Sequence, residues 1–204
     1  MKVVPMTFAD VDDVVHVHLR SFDGFMNTRL GSGYLRRFYA WFTNRADAIA
    51  LKCVIDGQLA GFVVGAPFGY GATMNRELMG TVLWSVICRP WVLCRYRFLS
   101  TLGARARSLL TRSKPESGCA LVGIAVSFEY RGAGVGSTLV EAFEREAAKR
   151  GHELLRLSVR ATNSSALKLY ERAGWSSLQT GGEVVIYEKR RQDALAVLPP
   201  WYEP

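Results

Sequence analysis

Hydrophobic residues recur along this chain with two periods, and each change of period marks an element boundary. The opening KVVPM reads as a short strand. Thr7 then offers a helix N-cap with Asp10 three residues on, a near capping box. Val11, Val14, Val15, His18, Leu19 and Phe22 follow at helical spacing. The glycine-containing connection FDGFMNTRLGSG leads to YLRRFYAWF, a second helix expected to turn Leu35, Phe38, Tyr39 and Phe42 inward. AIALKCVI and QLAGFVVGA are apolar, β-branched runs on either side of Asp56-Gly57, a strong hairpin signal. Residues 67–117 break this rhythm. They mix aromatics with arginines and show no strand alternation, so they are expected to form a helical insertion closed by Pro115 and Gly118.

After the insertion strand and helix patterns resume. CALVGIAV is almost wholly apolar, as a central strand would be. A glycine loop follows, then a helix from about Gly134 to Arg150. Its inner stripe is Val135, Leu139, Val140, Phe143 and Ala147, and Glu144, Arg145, Glu146 and Lys149 are expected to face water. ELLRLSV is a fifth strand. NSSALKLYERAG is a short helix with Asn163 as cap and Gly174 as stop. WSSLQT, Gly181-Gly182 and EVVIYEK make a closing hairpin. The order is that of one α/β domain over residues 1–204, with a mixed sheet flanked by helices.

The loop EYRGAGVGSTL, residues 129–139, carries the densest chemical signal. A phosphate loop of the nucleoside triphosphatase kind needs Gly-Lys-Ser/Thr, and here Gly136 is followed directly by Ser137. A dinucleotide fingerprint needs a third glycine where Ser137 stands, and a strand that opens the domain. A tight strand-to-helix turn would explain one or two glycines, but not an arginine directly before three of them. The remaining pattern is Arg131-x-x-Gly134-x-Gly136 at the start of a helix. Unpaired N–H groups and the positive end of the helix dipole suit a pyrophosphate there, and glycines let its oxygens approach the backbone.

This pattern resembles the acyl-CoA-binding motif of the N-acetyltransferases of the GNAT family. A second motif strengthens the resemblance: Asn163, Ala166, Tyr170, Gly174 and Trp175 follow the family's spacing after the next strand. The likeness is clear from about Cys119 to Lys189 and rests on element order before that. It implies a splayed, mostly antiparallel mixed sheet whose fourth and fifth strands part around the pantetheine arm of acetyl-CoA. The arm would pair with the main chain of Ile124, Ala125 and Val126. Arg131, Gly132, Ala133, Gly134, Val135, Gly136 and Ser137 would hold the pyrophosphate, and Asn163 and Ala166 would line the arm. Tyr170 would be the proton donor to the departing sulfur, against the alternative of a buried aromatic packed on the fifth strand. Backbone N–H groups near Ile124–Val126 would polarise the carbonyl.

Composition adjusts this picture in two places. Apolar residues are 49% and charged residues 22%, ordinary for a soluble globular protein. The N-terminus shows no secretory signal, so the expected location is cytoplasmic. The uncharged run LMGTVLWSVIC is too short for a span of about 20 residues. Cys53, Cys88, Cys94 and Cys119 form no CxxC pair and read as buried thiols, and His16, His18 and His152 suggest no metal site. The net charge of +8, however, is concentrated. From Met79 to Pro115 there is no acid, whereas Arg89, Arg95, Arg97, Arg105, Arg107, Arg112 and Lys114 supply nearly all of the excess.

That basic segment leaves the acceptor open. With SFDGFMNTRLGSGYLRRFY it resembles acetyltransferases of bacterial cell-surface polysaccharide synthesis, which would imply a small-molecule amine such as an amino sugar. The alternatives are an acyl-CoA-binding module that touches an anionic membrane surface, or arginines that only solvate a helical pair. Nucleic acid ranks last, since the aromatics read as helix-face residues, and a homodimer is left open. The fourth strand carries no acid to serve as general base. Asp23, Asp56 and Glu77 are candidates, as is a water chain, and Glu129 reads as structural.

Overall fold

The computed structural model describes residues 1–22, 28, 30–88, 117–180 and 182–190. Among the described residues the apolar and alternating runs form seven strands: β1 (Lys2–Pro5), β2 (Ile49–Ile55), β3 (Gln58–Pro67), β4 (Gly118–Val126), β5 (Leu154–Arg160), β6 (Ser176–Thr180) and β7 (Val184–Arg190). They make one sheet in the order β1-β2-β3-β4-β5-β7-β6. Every neighbouring pair is antiparallel except β4 and β5, which run parallel. The Asp56-Gly57 turn is a hairpin as expected, with both residues at positive φ (49° and 79°).

The parallel pair is short. Its ladder runs from Gly118 opposite Leu154 to Leu121 opposite Leu157 and stops there. β4 continues to Val126 on β3 alone, and β5 continues to Arg160 on β7 alone. The strands therefore fork. At the same point the β3–β4 register jumps from Val64–Gly123 to Gly65–Leu121, which makes Val122 an extra residue on β4. A bulge of this kind adds local twist and turns the strand away from its neighbour.

Helices cover both faces. α1 (Val11–Ser21) and α2 (Ser32–Thr43) bury Val14, Leu35, Tyr39 and Phe42 against Phe62, Val64 and Ala66 of β3. α4 (Val135–Lys149) lies on the other face with Val135, Leu139, Val140 and Phe143 inward, and α5 (Ser164–Arg172) follows β5. At the entrance to α1, the Asp10 carboxylate accepts hydrogen bonds from both the N–H and the hydroxyl of Thr7 (2.8 Å each). Cys53 and Cys119 are buried and free, and burial pushes the Cys119 thiol up to about 12, which makes it inert.

Three expectations need correction or restriction. Leu19 is 37% exposed, and Val17 takes a buried place on α1 instead. Glu144 does not face water: its side chain is 18% exposed, one carboxylate oxygen accepting from Trp175 Nε1 at 2.7 Å and the other meeting Lys189 Nζ at 2.8 Å. Of the inserted segment, the structure describes α3 (Tyr70–Cys88), while 89–116, which hold its arginines, lie outside the described residues. Among the described residues, no helix is long and apolar enough to cross a membrane.

On the α4 side of β3, two small residues let the helix approach. A Cβ built on Gly65 would run into the ring of buried Phe143 and lie 2.6 Å from the Ala120 carbonyl oxygen; one on Gly61 would lie 3.1 Å from Leu139. The backbone oxygen and the packed ring cannot step aside. Gly65→Ala should therefore lower stability by about 2 kcal/mol or more, the scale of core overpacking. Denaturant unfolding monitored by circular dichroism measures this, with a shift in midpoint at constant slope expected.

Candidate active site

The fork opens into a cleft of about 700 Å³. One wall is the end of β4, where Ile124, Ala125 and Val126 have β3 on one side and, among the described residues, no strand on the other. Half of the backbone N–H and C=O groups on such an edge point away from the paired neighbour, so this wall offers unpaired donors and acceptors despite its apolar side chains.

The glycine loop forms the floor. Gly132 and Gly134 hold φ of 81° and 80°, and among the described residues a Cβ on either would meet nothing within 4 Å beyond its own chain neighbours. They are glycine for the backbone turn, with open space before them, and not for close protein packing. Gly134 caps α4, whose first bond runs from Thr138 N–H to the Gly134 carbonyl at 3.1 Å. The N–H groups of Val135, Gly136 and Ser137 precede that bond and have no intrahelical acceptor. Arg131 stands beside them at the cleft, its guanidinium 5.4 Å from the centre of the Phe128 ring.

The far wall is α5. Asn163 caps it by accepting the Ala166 N–H at 3.2 Å, and both residues line the cleft. Tyr170 is 4% exposed and its hydroxyl has no hydrogen-bond partner among the described residues. Burial raises its pKa to about 12, so the phenol stays protonated at any physiological pH. Its ring is held between Trp175 and Tyr187, with centroids at 6.0 and 5.9 Å. Both flanking residues are tied by their polar ends: Trp175 donates to Glu144, and the Tyr187 hydroxyl donates to Glu171 at 2.9 Å. Lys189 closes the arrangement by bonding both Glu144 and the Ala173 carbonyl.

The structure thus brings Ile124, Ala125, Val126, Arg131, Gly132, Gly134, Val135, Gly136, Ser137, Asn163, Ala166 and Tyr170 around one cleft. Ala133 is the exception; its N–H bonds the Tyr130 carbonyl at 3.4 Å and it does not line the cleft. Sequence reasoning missed Ser165, Lys168, Leu169 and Arg172, although their helical spacing from Asn163 could have shown that they share a face. It also missed Ser21 and Phe22, for which no motif gives a signal. Of the base candidates, Asp56 sits in the hairpin turn and Glu77 faces Arg45 at 3.4 Å. Neither lines the cleft, Glu129 is paired with Arg20 at 3.4 Å, and Asp23 lies outside the described residues.

A forked mixed sheet with a helix-capped glycine loop at its opening is the architecture of the N-acetyltransferases. The PaiA N-acetyltransferase of Thermoplasma acidophilum, solved in complex with coenzyme A, superposes with a TM-score of 0.63 over 93% of this chain and 98% of its own, at 16% identity. The ribosomal-protein-S18-alanine N-acetyltransferase of Escherichia coli gives 0.58 over 93% and 92%, also at 16% identity. At these identities the likeness concerns the fold. The sequence goes further: residues 14–175 match the model of the acetyltransferase (GNAT) family, and the chain belongs to that family. Among curated relatives, the [ribosomal protein bS18]-alanine N-acetyltransferase of Escherichia coli K12 is 35% identical over 80 residues, which are 39% of this chain and 54% of that protein. The match thus spans about half the length of that relative.

The wall that carries Phe22 rests on a buried histidine. The Thr28 hydroxyl donates to the Phe22 carbonyl at 2.6 Å, so it accepts from His18 Nε2–H at 3.1 Å. His18 Nδ1 then accepts the Tyr39 hydroxyl proton at 2.6 Å. These bonds hold the ring neutral, and burial lowers its pKa from 6.5 to about 4. Between pH 6.5 and 4 the unfolded chain binds a proton at this residue that the folded chain refuses, so stability falls as the pH falls. The loss attributable to His18 is on the order of 3 kcal/mol. His152, also lowered by burial, adds in the same direction. Urea unfolding at a series of pH values should show this slope, and His18→Gln should flatten most of it.

Proposed function

We propose that this protein transfers an acetyl group from acetyl-CoA to a primary amine. The observation that carries the reading is the placement of the protonated Tyr170 hydroxyl, without a hydrogen-bond partner among the described residues, in the same cleft as the donor-rich N-terminus of α4. The residues present fit the coenzyme. The glycine loop offers N–H groups and open space for a pyrophosphate, and the unpaired edge of β4 offers main-chain partners for a pantetheine arm. Bound there, acetyl-CoA supplies an activated acetyl group as a thioester.

What the protein's own groups contribute follows from their positions. N–H groups of the β4 edge near Ile124–Val126 stabilise negative charge on the carbonyl oxygen as the amine nitrogen attacks. The Tyr170 hydroxyl would give its proton to the sulfur that leaves as the carbon–sulfur bond breaks. The phenol returns to its neutral form by uptake of a proton from solvent, and the amine releases its own proton to solvent water. The acceptor we infer is a small-molecule amine, an amino sugar among them. The similarity to an enzyme named for a ribosomal-protein alanine favours a second reading, the α-amino group of a protein chain. Both acceptors present an amine that reaches its neutral form near neutral pH, so the cleft chemistry serves either.

Two variants test this. Tyr170→Phe should keep acetyl-CoA affinity while slowing transfer by about 10²-fold or more, the scale of a lost general acid. Thiol release measured with amino-sugar and N-terminal peptide acceptors in parallel reads both the rate and the acceptor class. Turnover equal to wild type would leave Tyr170 as packing alone.

Gly134→Glu places a Cβ and a carboxylate in the space before the α4 amides, at a φ that costs an L-residue about 1–2 kcal/mol. The protein should stay folded and lose acetyl-CoA binding in calorimetry. A folded variant with unchanged affinity would reject the pyrophosphate assignment.

A further inference from the structure

The cleft face of α5 carries Ser165, Lys168, Leu169 and Arg172. Lys168 and Arg172 are four residues apart, so they neighbour each other on the helix surface, where like charges repel. Arg172 lies in the last turn and gains from the helix dipole there, but Lys168 in mid-helix has no such compensation. Neither has a carboxylate within ion-pair distance among the described residues. The contrast with their surroundings is sharp. Arg145, Arg150, Arg156 and Lys189 each meet a glutamate, at 3.8, 3.0, 2.8 and 2.8 Å. The nearest acid in sequence, Glu171, is turned away to the Tyr187 hydroxyl.

Position strengthens the point. A Cβ on Gly136 would lie 3.4 Å from Leu169, so this stretch of α5 lies against the first turn of α4. That turn already offers its N–H groups to one phosphate group, and Arg131 lines the same cleft. Two further unpaired cations beside it exceed what a diphosphate requires. Coenzyme A carries a second anion, the phosphomonoester on its ribose.

We propose that Lys168 and Arg172 form a second phosphate anchor, which binds the ribose phosphomonoester and makes the protein discriminate acetyl-CoA from its 3′-dephospho form. This rests on the acetyl-CoA reading above. Both side chains are exposed, so their removal leaves the core untouched.

The test is calorimetric titration of wild type and the Lys168→Ala/Arg172→Ala double variant with acetyl-CoA and with 3′-dephospho-acetyl-CoA, circular dichroism confirming the fold. Wild type should bind the dephospho compound about tenfold more weakly, the scale of charged hydrogen bonds at a solvent-open site. The double variant should bind both compounds alike, at the wild-type affinity for the dephospho form. Lys168→Arg should restore part of the preference in an otherwise wild-type chain compared with Lys168→Ala. Equal wild-type affinities, or a preference that survives in the double variant, would overturn the proposal. So would equal proportional losses for both compounds, which would place the cations on the diphosphate. Absence of any acetyl-CoA binding by wild type would remove the underlying reading instead.

Discussion

The cleft exists because one strand pair stops early. Parallel pairing between β4 and β5 ends at Leu121 and Leu157, although both strands continue to pair with their outer neighbours. The extra residue at Val122 explains why the pair cannot resume: it adds twist on β4 just where the ladder ends. Interior strand edges are costly in water-free surroundings, since their N–H and C=O groups go unpaired. Here the opening keeps them in contact with solvent or ligand. A sheet that closed completely would be more stable and would have nowhere to seat an extended arm.

A fork weakens the sheet, and the structure offsets this on the α4 face. The glycines at 61 and 65 let α4 press its Leu139 and Phe143 onto β3 on one side of the opening. On the other side, Glu144 of the same helix reaches Trp175 and Lys189, which belong to the segments after α5 and in β7. One helix thus bridges both arms of the fork. Because Trp175 and Tyr187 also flank Tyr170, the same bridge fixes the orientation of the phenol relative to the amides at the start of α4. Removing one partner of this partly buried set would strand a charge, which is why a glutamate on an otherwise outward-facing turn of α4 is held so closely.

Much of this was legible in the sequence where one physical rule governs a position. Apolar runs and alternation located the seven described strands, and Asp56-Gly57 located the hairpin. Arg131, Gly134 and Gly136 followed by Asn163 and Tyr170 marked the floor and the α5 wall of the cleft, because glycine at a helix start and a capping asparagine each have a local cause. What stayed illegible depends on contacts distant in sequence. Glu144 reads as a solvent residue by helical periodicity, and only the approach of Trp175 and Lys189 makes it interior. Ser21 and Phe22 reach the cleft through the packing of α1 on α2, with His18, Tyr39 and Thr28 as the link. The fork itself depends on register, which a single apolar run such as CALVGIAV does not specify.

The two sides of the cleft therefore differ in how they are built. Its floor, the β4 wall and the α5 wall all come from residues 118–190, a continuous stretch in which each wall is braced against α4. The opposite wall, Ser21 and Phe22, comes from the end of α1 and is held by a short chain of neutral hydrogen bonds. Charge follows the same division, with Arg131, Lys168 and Arg172 on the side where phosphates are expected. A coenzyme common to a whole family suits the braced and cationic side, where geometry must be kept. An acceptor that varies between members suits the side whose wall can change by substitution at a helix end without disturbing the fork. Among the described residues Phe22 packs with the cluster on the α1–α2 side, apart from the one that braces α4 and α5, so a change there need not loosen the half that faces the coenzyme.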